Sequence, residues 1–129
     1  MPTRNGSARY QGLGKDGQGS VSTQSGVLKD QRYGFGTRFG DEPGTNPEEL
    51  IAAAHASCFT MALSFALAAA GHEDGVLDTT AKVTVDKDGD GFTITRSALE
   101  LKAKVPGISA EEFDRIAADA KANCPVSKV

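Results

Sequence analysis

The 129-residue sequence contains no tryptophan and only two cysteines, and 6% of its residues are aromatic. A domain of this length can bury roughly two thirds of the surface of its unfolded chain, so it needs neither a metal nor a disulfide to form a core. Cys58 and Cys124 are therefore open to three interpretations: reactive thiols, metal ligands or buried core residues. The length predicts one domain.

Positive charge is also scarce. The 14 lysines and arginines are outnumbered by 17 aspartates and glutamates, which gives a formal net charge of −3, and no two basic residues are adjacent. Nucleic acids and anionic membranes bind to basic surfaces. We therefore expect neither as a partner.

No apolar segment follows Arg4, so the N-terminus does not resemble a secretory signal. Residues 50–70 carry no charged side chain, and that length would suffice for a membrane span. The segment is rich in alanine and is interrupted by polar residues such as His55 and Thr60, which favours the buried central helix of a globular protein. We expect a cytoplasmic protein with no membrane partner.

The central helix has recognisable end signals. Asn46 suits the N-cap, Pro47 suits the first helical position, and Glu49 lies where its side chain completes a capping box. Its neighbour Glu48 is then free for another role. The helix is predicted to end just before Gly71.

Small side chains recur at every fourth position of this helix, and they are Ala54, Cys58, Ala62, Ala66 and Ala70. Such a stripe allows another element to pack closely against the helix. It also places Cys58 in mid-helix, away from the positive N-terminal turn. A thiol in that position needs a nearby cation to become a thiolate.

Arg38 is the best candidate for that cation. Residues 33–39 alternate and predict a strand on which Arg38 shares one face with two glycines. A guanidinium at ~4 Å contributes about 4 kcal/mol at an effective dielectric constant of ~20, and lowering a thiol pKa by ~1.5 to 2 takes about 2 to 3 kcal/mol. Glu48 could orient Arg38 through a bidentate pair. An exposed arginine on an edge strand and a buried, unreactive Cys58 remain the alternatives.

The second half of the chain predicts a β-hairpin over residues 79–105, with its turn at residues 88–91. The apolar positions change phase in the return strand, which predicts a β-bulge near residues 97–99.

A second helix is predicted to begin with a capping box of Ser109 and Glu112 and to span residues 109–123. Pro125 is then expected to open a further helix with Cys124 at its N-cap, where the helix N-terminus would stabilise a thiolate.

Two other functions remain open at this point. His55 and Cys58 lie three apart on one helix face, and Cys124 with Glu48 would complete four metal ligands. The sequence has no Cys-x-x-Cys pair, however. The other alternative is a non-enzymatic stress-response protein whose thiols oxidise without turnover.

Eight short segments carry a family resemblance. They are VST (21–23), SGVL (25–28), YGF (33–35), TRF (37–39), GTNPEELI (44–51), AAHA with the following CF (53–59), DTTA (78–81) and CPVS (124–127). They are spread over nearly the whole chain and closely resemble the osmotically inducible (OsmC) branch of the OsmC and organic hydroperoxide resistance (Ohr) superfamily.

The resemblance implies an α+β fold in which antiparallel sheets pack around a long central helix. It implies one OsmC-like domain over residues 1–129 and an intertwined, swapped homodimer with sites near the subunit interface. Members of the family continue past the CPVS segment into a final strand, which this chain, ending at Val129, is expected to lack.

The resemblance also implies a function and a site. The activity is a thiol-dependent peroxidase that reduces organic hydroperoxides to alcohols. Cys58 corresponds to the peroxidatic cysteine, Cys124 to the resolving cysteine, Arg38 to the arginine beside the thiolate and Glu48 to its carboxylate partner. No metal or bound cofactor is implied, and an external dithiol, in this family a lipoyl group, is the expected reductant. Apolar residues expected to favour organic hydroperoxides over hydrogen peroxide are Phe35, Phe39, Phe59 and Met61.

Overall fold

A computed structural model of the chain describes residues 2–129. They form two compact units, one ending at Leu50 and the other spanning Ile51–Val129, and each is described by itself. In chain order the elements are β1 (Gly6–Gln11), β2 (Gln18–Thr23), β3 (Gln31–Tyr33), α1 (Phe35–Phe39), α2 (Pro47–Ala69), β4 (Val76–Asp88), β5 (Gly91–Lys104) and α3 (Ala110–Asn123). Antiparallel sheets and one long helix confirm the predicted α+β class.

The first unit contains a three-stranded antiparallel sheet in the order β1-β2-β3. The strand predicted over residues 33–39 is wrong, because β3 ends at Tyr33 and the helix α1 follows. The hydroxyl of Thr37 accepts a hydrogen bond of 2.8 Å from the backbone N–H of Gly34, which closes the first turn of α1. Phe35 and Phe39 are four residues apart, a spacing that fits both a strand face and a helix face, and their ring centroids lie 5.3 Å apart.

The start of α2 follows the sequence prediction. The side chain of Asn46 accepts a hydrogen bond of 2.8 Å from the backbone N–H of Glu49, so Asn46 is the N-cap and Pro47 is the first helical residue. The reciprocal half of the capping box differs. The carboxylate of Glu49 accepts a 2.9 Å hydrogen bond from the hydroxyl of Thr45.

The end of α2 is also as predicted. Gly71 adopts a positive φ of 96°, a conformation that favours glycine. The backbone N–H of His72 bonds to the carbonyl of Leu67 at 3.0 Å, and that of Gly71 bonds to the carbonyl of Ala68 at 3.0 Å. These two bonds form a Schellman motif, which satisfies the last carbonyl groups of the helix.

The second sheet is the predicted β-hairpin of β4 and β5. A β-bulge is present, but its position differs from the prediction: Thr84 pairs with Arg96 and Val85 pairs with Ile94, so Thr95 is the extra residue. The side chains of residues 91–96 are exposed, whereas burial begins at Ser97. A bulge in the exposed stretch changes the phase of the strand without disturbing the core.

The core of the second unit is built from α2, α3 and the residue that follows α3. Its buried members are Phe59, Leu63, Leu67, Ile116, Ala120 and Cys124. Cys58, Ala62 and Ala66 of the small-residue stripe pack against this cluster. The central helix therefore contributes one face to the core, as its apolar composition predicts.

Another part of α2 remains exposed. Ile51, Met61 and Phe65 are 38%, 64% and 72% exposed. Within residues 2–129, α2 is also the one helix whose length and composition alone would allow it to cross a membrane. The buried face of α2, which includes Leu63, is the kind of face that the core helix of a globular protein presents.

Candidate active site

The two cysteines come together in the second unit. Cys58 lies in the middle of α2, Cys124 follows the last residue of α3, and their Sγ atoms are 2.8 Å apart although 66 positions separate them in the sequence. Both are free thiols. A disulfide has an S–S distance of about 2.05 Å. The sulfur atoms can therefore bond after a movement of less than about 1 Å.

The surroundings of Cys124 differ from the prediction. Cys124 is the C-cap of α3, since its backbone N–H bonds to the carbonyl of Ala120 at 2.9 Å. Residues 125–128 form a turn and not a helix, with the N–H of Lys128 bonded to the carbonyl of Cys124 at 3.3 Å. Cys124 continues the hydrogen bonding of α3, so it ends that helix and does not open a new one. N–H groups of this turn nevertheless face the sulfur of Cys124.

The two thiols affect each other's ionisation. Burial is the largest single effect on the pKa of Cys124 and raises it, but hydrogen bonds from the thiol of Cys58, from the backbone and hydroxyl of Ser127 and from the backbone of Val126 together lower the pKa. Partial burial raises the pKa of Cys58, and its hydrogen bond to Cys124 raises it further. When the pair loses its first proton, the negative charge is therefore favoured on Cys124.

His55 of α2 bonds to two other parts of the second unit, the strand β5 and the turn after α3. Its side chain is buried, at 7% exposure, and both ring nitrogens have partners: Nδ1 lies 2.6 Å from the hydroxyl of Ser97 and Nε2 lies 2.8 Å from the hydroxyl of Ser127. Neither nitrogen is left for a metal ion shared with Cys58. The sequence identified His55 as a candidate metal ligand but did not predict its two serine partners, which lie on other elements.

Arg38 and Glu48 form the second pair, in the first unit. Nε and Nη2 of Arg38 donate hydrogen bonds of 3.0 Å to the two carboxylate oxygens of Glu48. The side chain of Glu48 is 10% exposed and that of Arg38 is 38% exposed. The carboxylate is thus more shielded from water than the arginine side chain, and the bidentate geometry predicted from the sequence is present.

An apolar depression of about 410 Å³ lies beside Arg38 in the first unit. Its lining includes Tyr10, Tyr33, Phe35, Phe39 and Pro47. Of the other aromatic or apolar residues named from the sequence, Phe59 is a core residue at 3% exposure and Met61 is 64% exposed. Phe59 therefore does not line an open pocket.

The structure places each predicted site residue with one predicted partner. Cys58 lies with Cys124 in the second unit, and Arg38 lies with Glu48 in the first. The action of Arg38 on Cys58 stays a prediction.

Comparison with known proteins identifies the family of the chain. Residues 40–129 match the family described as OsmC-like protein. The chain belongs to this OsmC-like family. It is 56% identical over 126 residues to the peroxiredoxin OsmC of Escherichia coli K12, a match that covers 98% of this chain and 88% of the relative.

Two further OsmC-like matches are proteins of organic hydroperoxide resistance. The protein OhrA of Bacillus subtilis is 35% identical over 89 residues, which covers 67% of this chain and 60% of the relative. The solved structure of an organic hydroperoxide resistance protein from Elizabethkingia anophelis has a TM-score of 0.75 at 29% identity, and the match covers 99% of this chain and 87% of that one. The family resemblance inferred from the sequence motifs is confirmed.

Proposed function

We propose that this OsmC-like protein is a thiol-dependent peroxidase that reduces organic hydroperoxides to the corresponding alcohols. The observation that carries the proposal is the 2.8 Å contact between the Sγ atoms of Cys58 and Cys124. Relatives named peroxiredoxin and organic hydroperoxide resistance protein support a peroxidase function. Two thiols in contact are the arrangement that a peroxidase with a disulfide intermediate requires.

Cys58 is the peroxidatic residue in this proposal. Cys124 is 0% exposed, whereas Cys58 is partly exposed, so a peroxide reaches the sulfur of Cys58 more readily. The thiolate of Cys58 attacks the terminal oxygen of the hydroperoxide and forms an S–O bond as the O–O bond breaks. The alkoxide leaves and takes a proton to become the alcohol, and Cys58 becomes a sulfenic acid.

Arg38 supplies positive charge for that step. Within the second unit, burial and the hydrogen bond to Cys124 raise the pKa of Cys58, so this thiol needs a cation to become the nucleophile. We assign that role to Arg38, which also stabilises the charge on the departing alkoxide. Glu48 fixes the direction of the guanidinium through its two hydrogen bonds. The apolar depression beside Arg38 favours a hydroperoxide with an apolar substituent.

Cys124 completes the cycle. Its sulfur attacks the sulfur of the Cys58 sulfenic acid, an S–S bond forms, the S–O bond breaks, and the hydroxide leaves as water after taking a proton. An external dithiol, such as a lipoyl group, then reduces the disulfide and becomes a disulfide itself. The cycle needs no bound cofactor.

We further propose that the active form is a homodimer in the cytoplasm. The support is the exposed apolar surface of α2 at Ile51, Met61 and Phe65. Contiguous exposed apolar surface commonly marks a protein interface. A second copy of the chain would cover it.

Thiol titration with cumene hydroperoxide tests the function. One equivalent added to the reduced protein is expected to consume both thiols and release one equivalent of cumyl alcohol, and repeated turnover is expected with a dithiol reductant. Cys124→Ser is expected to release alcohol once and to leave a sulfenic acid on Cys58 that a dimedone probe traps. Cys58→Ser is expected to release none.

The control is the same titration with the exposed hydroxyl variant Ser64→Ala, which is expected to match the wild type. Full multiple-turnover activity in Cys58→Ser would refute the proposal. Bound zinc together with two thiols that do not react would support a metal site instead.

A further inference from the structure

Cys124 is completely buried, yet its thiol must lose a proton before it attacks the sulfenic acid of Cys58. Its exposed fraction is 0%, so no water reaches the sulfur directly. A buried thiol in an apolar core is normally inert, because burial opposes the charged thiolate. The proton therefore needs a pathway through polar side chains.

A chain of hydrogen-bonding groups leads away from this sulfur. Ser127 belongs to the turn that the N–H of Lys128 closes on the carbonyl of Cys124, and its hydroxyl helps to lower the pKa of the Cys124 thiol. The same hydroxyl lies 2.8 Å from Nε2 of His55. On the other side of the ring, Nδ1 of His55 lies 2.6 Å from the hydroxyl of Ser97. These groups come from three elements, which are α2, β5 and the turn after α3.

This series of hydrogen-bonding groups reaches solvent. His55, Ser97 and Ser127 line an open depression of about 430 Å³ whose other side is formed by α3 residues including Lys121. A space of this size holds many water molecules, since one water occupies ≈ 30 Å³ of liquid. The depression therefore brings solvent to the side of the site that His55, Ser97 and Ser127 line.

We propose that His55 is a positioning residue that accepts the proton of Cys124 through the hydroxyl of Ser127 and releases it to the depression. This inference rests on the proposed peroxidase function and concerns its second step. It assigns a role to a buried histidine that the reaction of the two cysteines leaves unexplained.

In the proposed second step, two proton transfers precede the attack on the sulfenic acid. Ser127 passes its hydroxyl proton to Nε2 of His55 and takes the proton of the Cys124 thiol, so the thiolate receives a hydrogen bond from Ser127. The thiolate attacks Cys58 Sγ, the S–S bond forms, and the S–O bond of the sulfenic acid breaks. The hydroxide takes a proton from solvent, and His55 returns one to solvent. The sum is one disulfide and one water.

Three titratable groups of the described residues are tied to His55 by the site and by the depression that it lines. Cys58 and Cys124 are on the core side, and Lys121 of α3 lines the depression. Lys121 is exposed, so solvent screens its charge. His55 uses Nδ1 to hold Ser97, which fixes the plane of the ring and directs Nε2 at Ser127.

Rapid quenching of the reduced, full-length protein tests the role of His55. After one equivalent of cumene hydroperoxide, alcohol release reports the first step and disulfide formation reports the second. In His55→Gln and Ser127→Ala, alcohol release is expected to keep the wild-type rate, while disulfide formation slows on the order of tenfold to a hundredfold near pH 7. At a pH well above the ordinary thiol pKa of ~8.5, the rate is expected to recover, because Cys124 then ionises without help.

Ser64→Ala, a hydroxyl deletion on the exposed side of α2, is the matched control and is expected to follow the wild type at every pH. Wild-type rates and pH profile in both test variants would overturn the inference. Equal slowing at every pH would also overturn it, because that is the result of a purely structural role. Ser127→Ala removes one oxygen from a turn, so it remains informative if His55→Gln does not fold.

A titration without peroxide separates this inference from the proposed function. Absorbance of the thiolate at 240 nm is followed against pH in Cys58→Ser, with the variant lacking both cysteines as the baseline. Adding Ser127→Ala or His55→Gln is expected to raise the pKa of Cys124. An unchanged pKa would refute the role of His55 even if peroxidase activity is present, and a raised pKa would support it even if that activity is absent.

Discussion

Glu48 holds the guanidinium of Arg38 by both carboxylate oxygens, each at 3.0 Å, and this contact joins the first turn of α2 to the short helix α1. The pair is partly shielded from water, with Glu48 the more buried partner. A guanidinium fixed in this way offers its remaining N–H groups in a defined direction. The proposed chemistry depends on that direction.

Glu48→Gln is expected to slow the reaction of Cys58 with cumene hydroperoxide. The amide has one acceptor oxygen and no charge, so it cannot accept both hydrogen bonds from the guanidinium of Arg38. A misplacement of ~1 Å in a positioning group can cost on the order of a hundredfold in rate. Stopped-flow measurement of the first step under single-turnover conditions checks the loss.

The exposed pair of Arg32 and Glu42 provides a matched control. Its side chains are 60% and 55% exposed and meet through one contact of 2.9 Å. Glu42→Gln is expected to leave the rate of the first step within a factor of about two, since exposed ion pairs contribute little. Equal losses in Glu48→Gln and Glu42→Gln would contradict a specific role for Glu48.

The reduced thiols are expected to titrate in two separate steps. The pKa of Cys124 is lowered and that of Cys58 is raised, so the first proton leaves below the ordinary thiol pKa and the second leaves above it. In Cys124→Ser the pKa of Cys58 should fall, because the hydrogen bond and the negative charge that oppose its ionisation are removed. Absorbance at 240 nm against pH checks both values. If the pKa of Cys58 is the same in Cys124→Ser as in the wild type, the two thiols do not affect each other's ionisation and the prediction is contradicted.

Oxidation is expected to stabilise the fold. A Cys58–Cys124 disulfide closes a loop of 66 residues, which in the chain-entropy model removes about 4 kcal/mol of unfolded-state freedom. Calorimetry should show a Tm several degrees higher for protein treated with one equivalent of peroxide than for the reduced form. Cys124→Ser should show the same Tm before and after such treatment. A lower Tm on oxidation of the wild type would indicate that the bond strains the core.

A charge on the exposed face of α2 is expected to dissociate the proposed homodimer. Phe65 is 72% exposed in the single chain, so Phe65→Glu should leave its folding intact. In a dimer the same change would bury a carboxylate, which opposes association. Sedimentation velocity should report a monomer. Leu13→Glu, at a position 92% exposed in the first unit, is the control and should sediment as the wild type does.

Local signals predicted the parts of the fold that depend on neighbouring residues. The N-cap at Asn46, the stop at Gly71 and the helix N-cap at Ser109 each involve hydrogen bonds over a few positions. The sequence also assigned different roles to the neighbouring residues Glu48 and Glu49. Glu49 bonds to Thr45 within the cap, and Glu48 bonds to Arg38.

The errors arose where one spacing fits two structures or where two local preferences compete. Phe35 and Phe39 satisfy both strand and helix periodicity, and the bond between Gly34 and Thr37 decides for the helix. Cys124 continues the hydrogen bonding of α3, which takes precedence over the helix-opening preference of Pro125. Contacts between distant elements, such as the serine partners of His55, leave no periodic signal in the sequence.

The contact between Cys58 and Cys124 also bears on oxidative damage. A sulfenic acid that meets a second peroxide becomes a sulfinic acid, which a dithiol cannot reduce. Here the competing thiol is already 2.8 Å away, so disulfide formation requires no diffusion and no large rearrangement. A second peroxide must arrive from solution at low concentration. In the proposed cycle, the contact that allows the disulfide to form is therefore also expected to protect the protein from inactivation by its peroxide substrate.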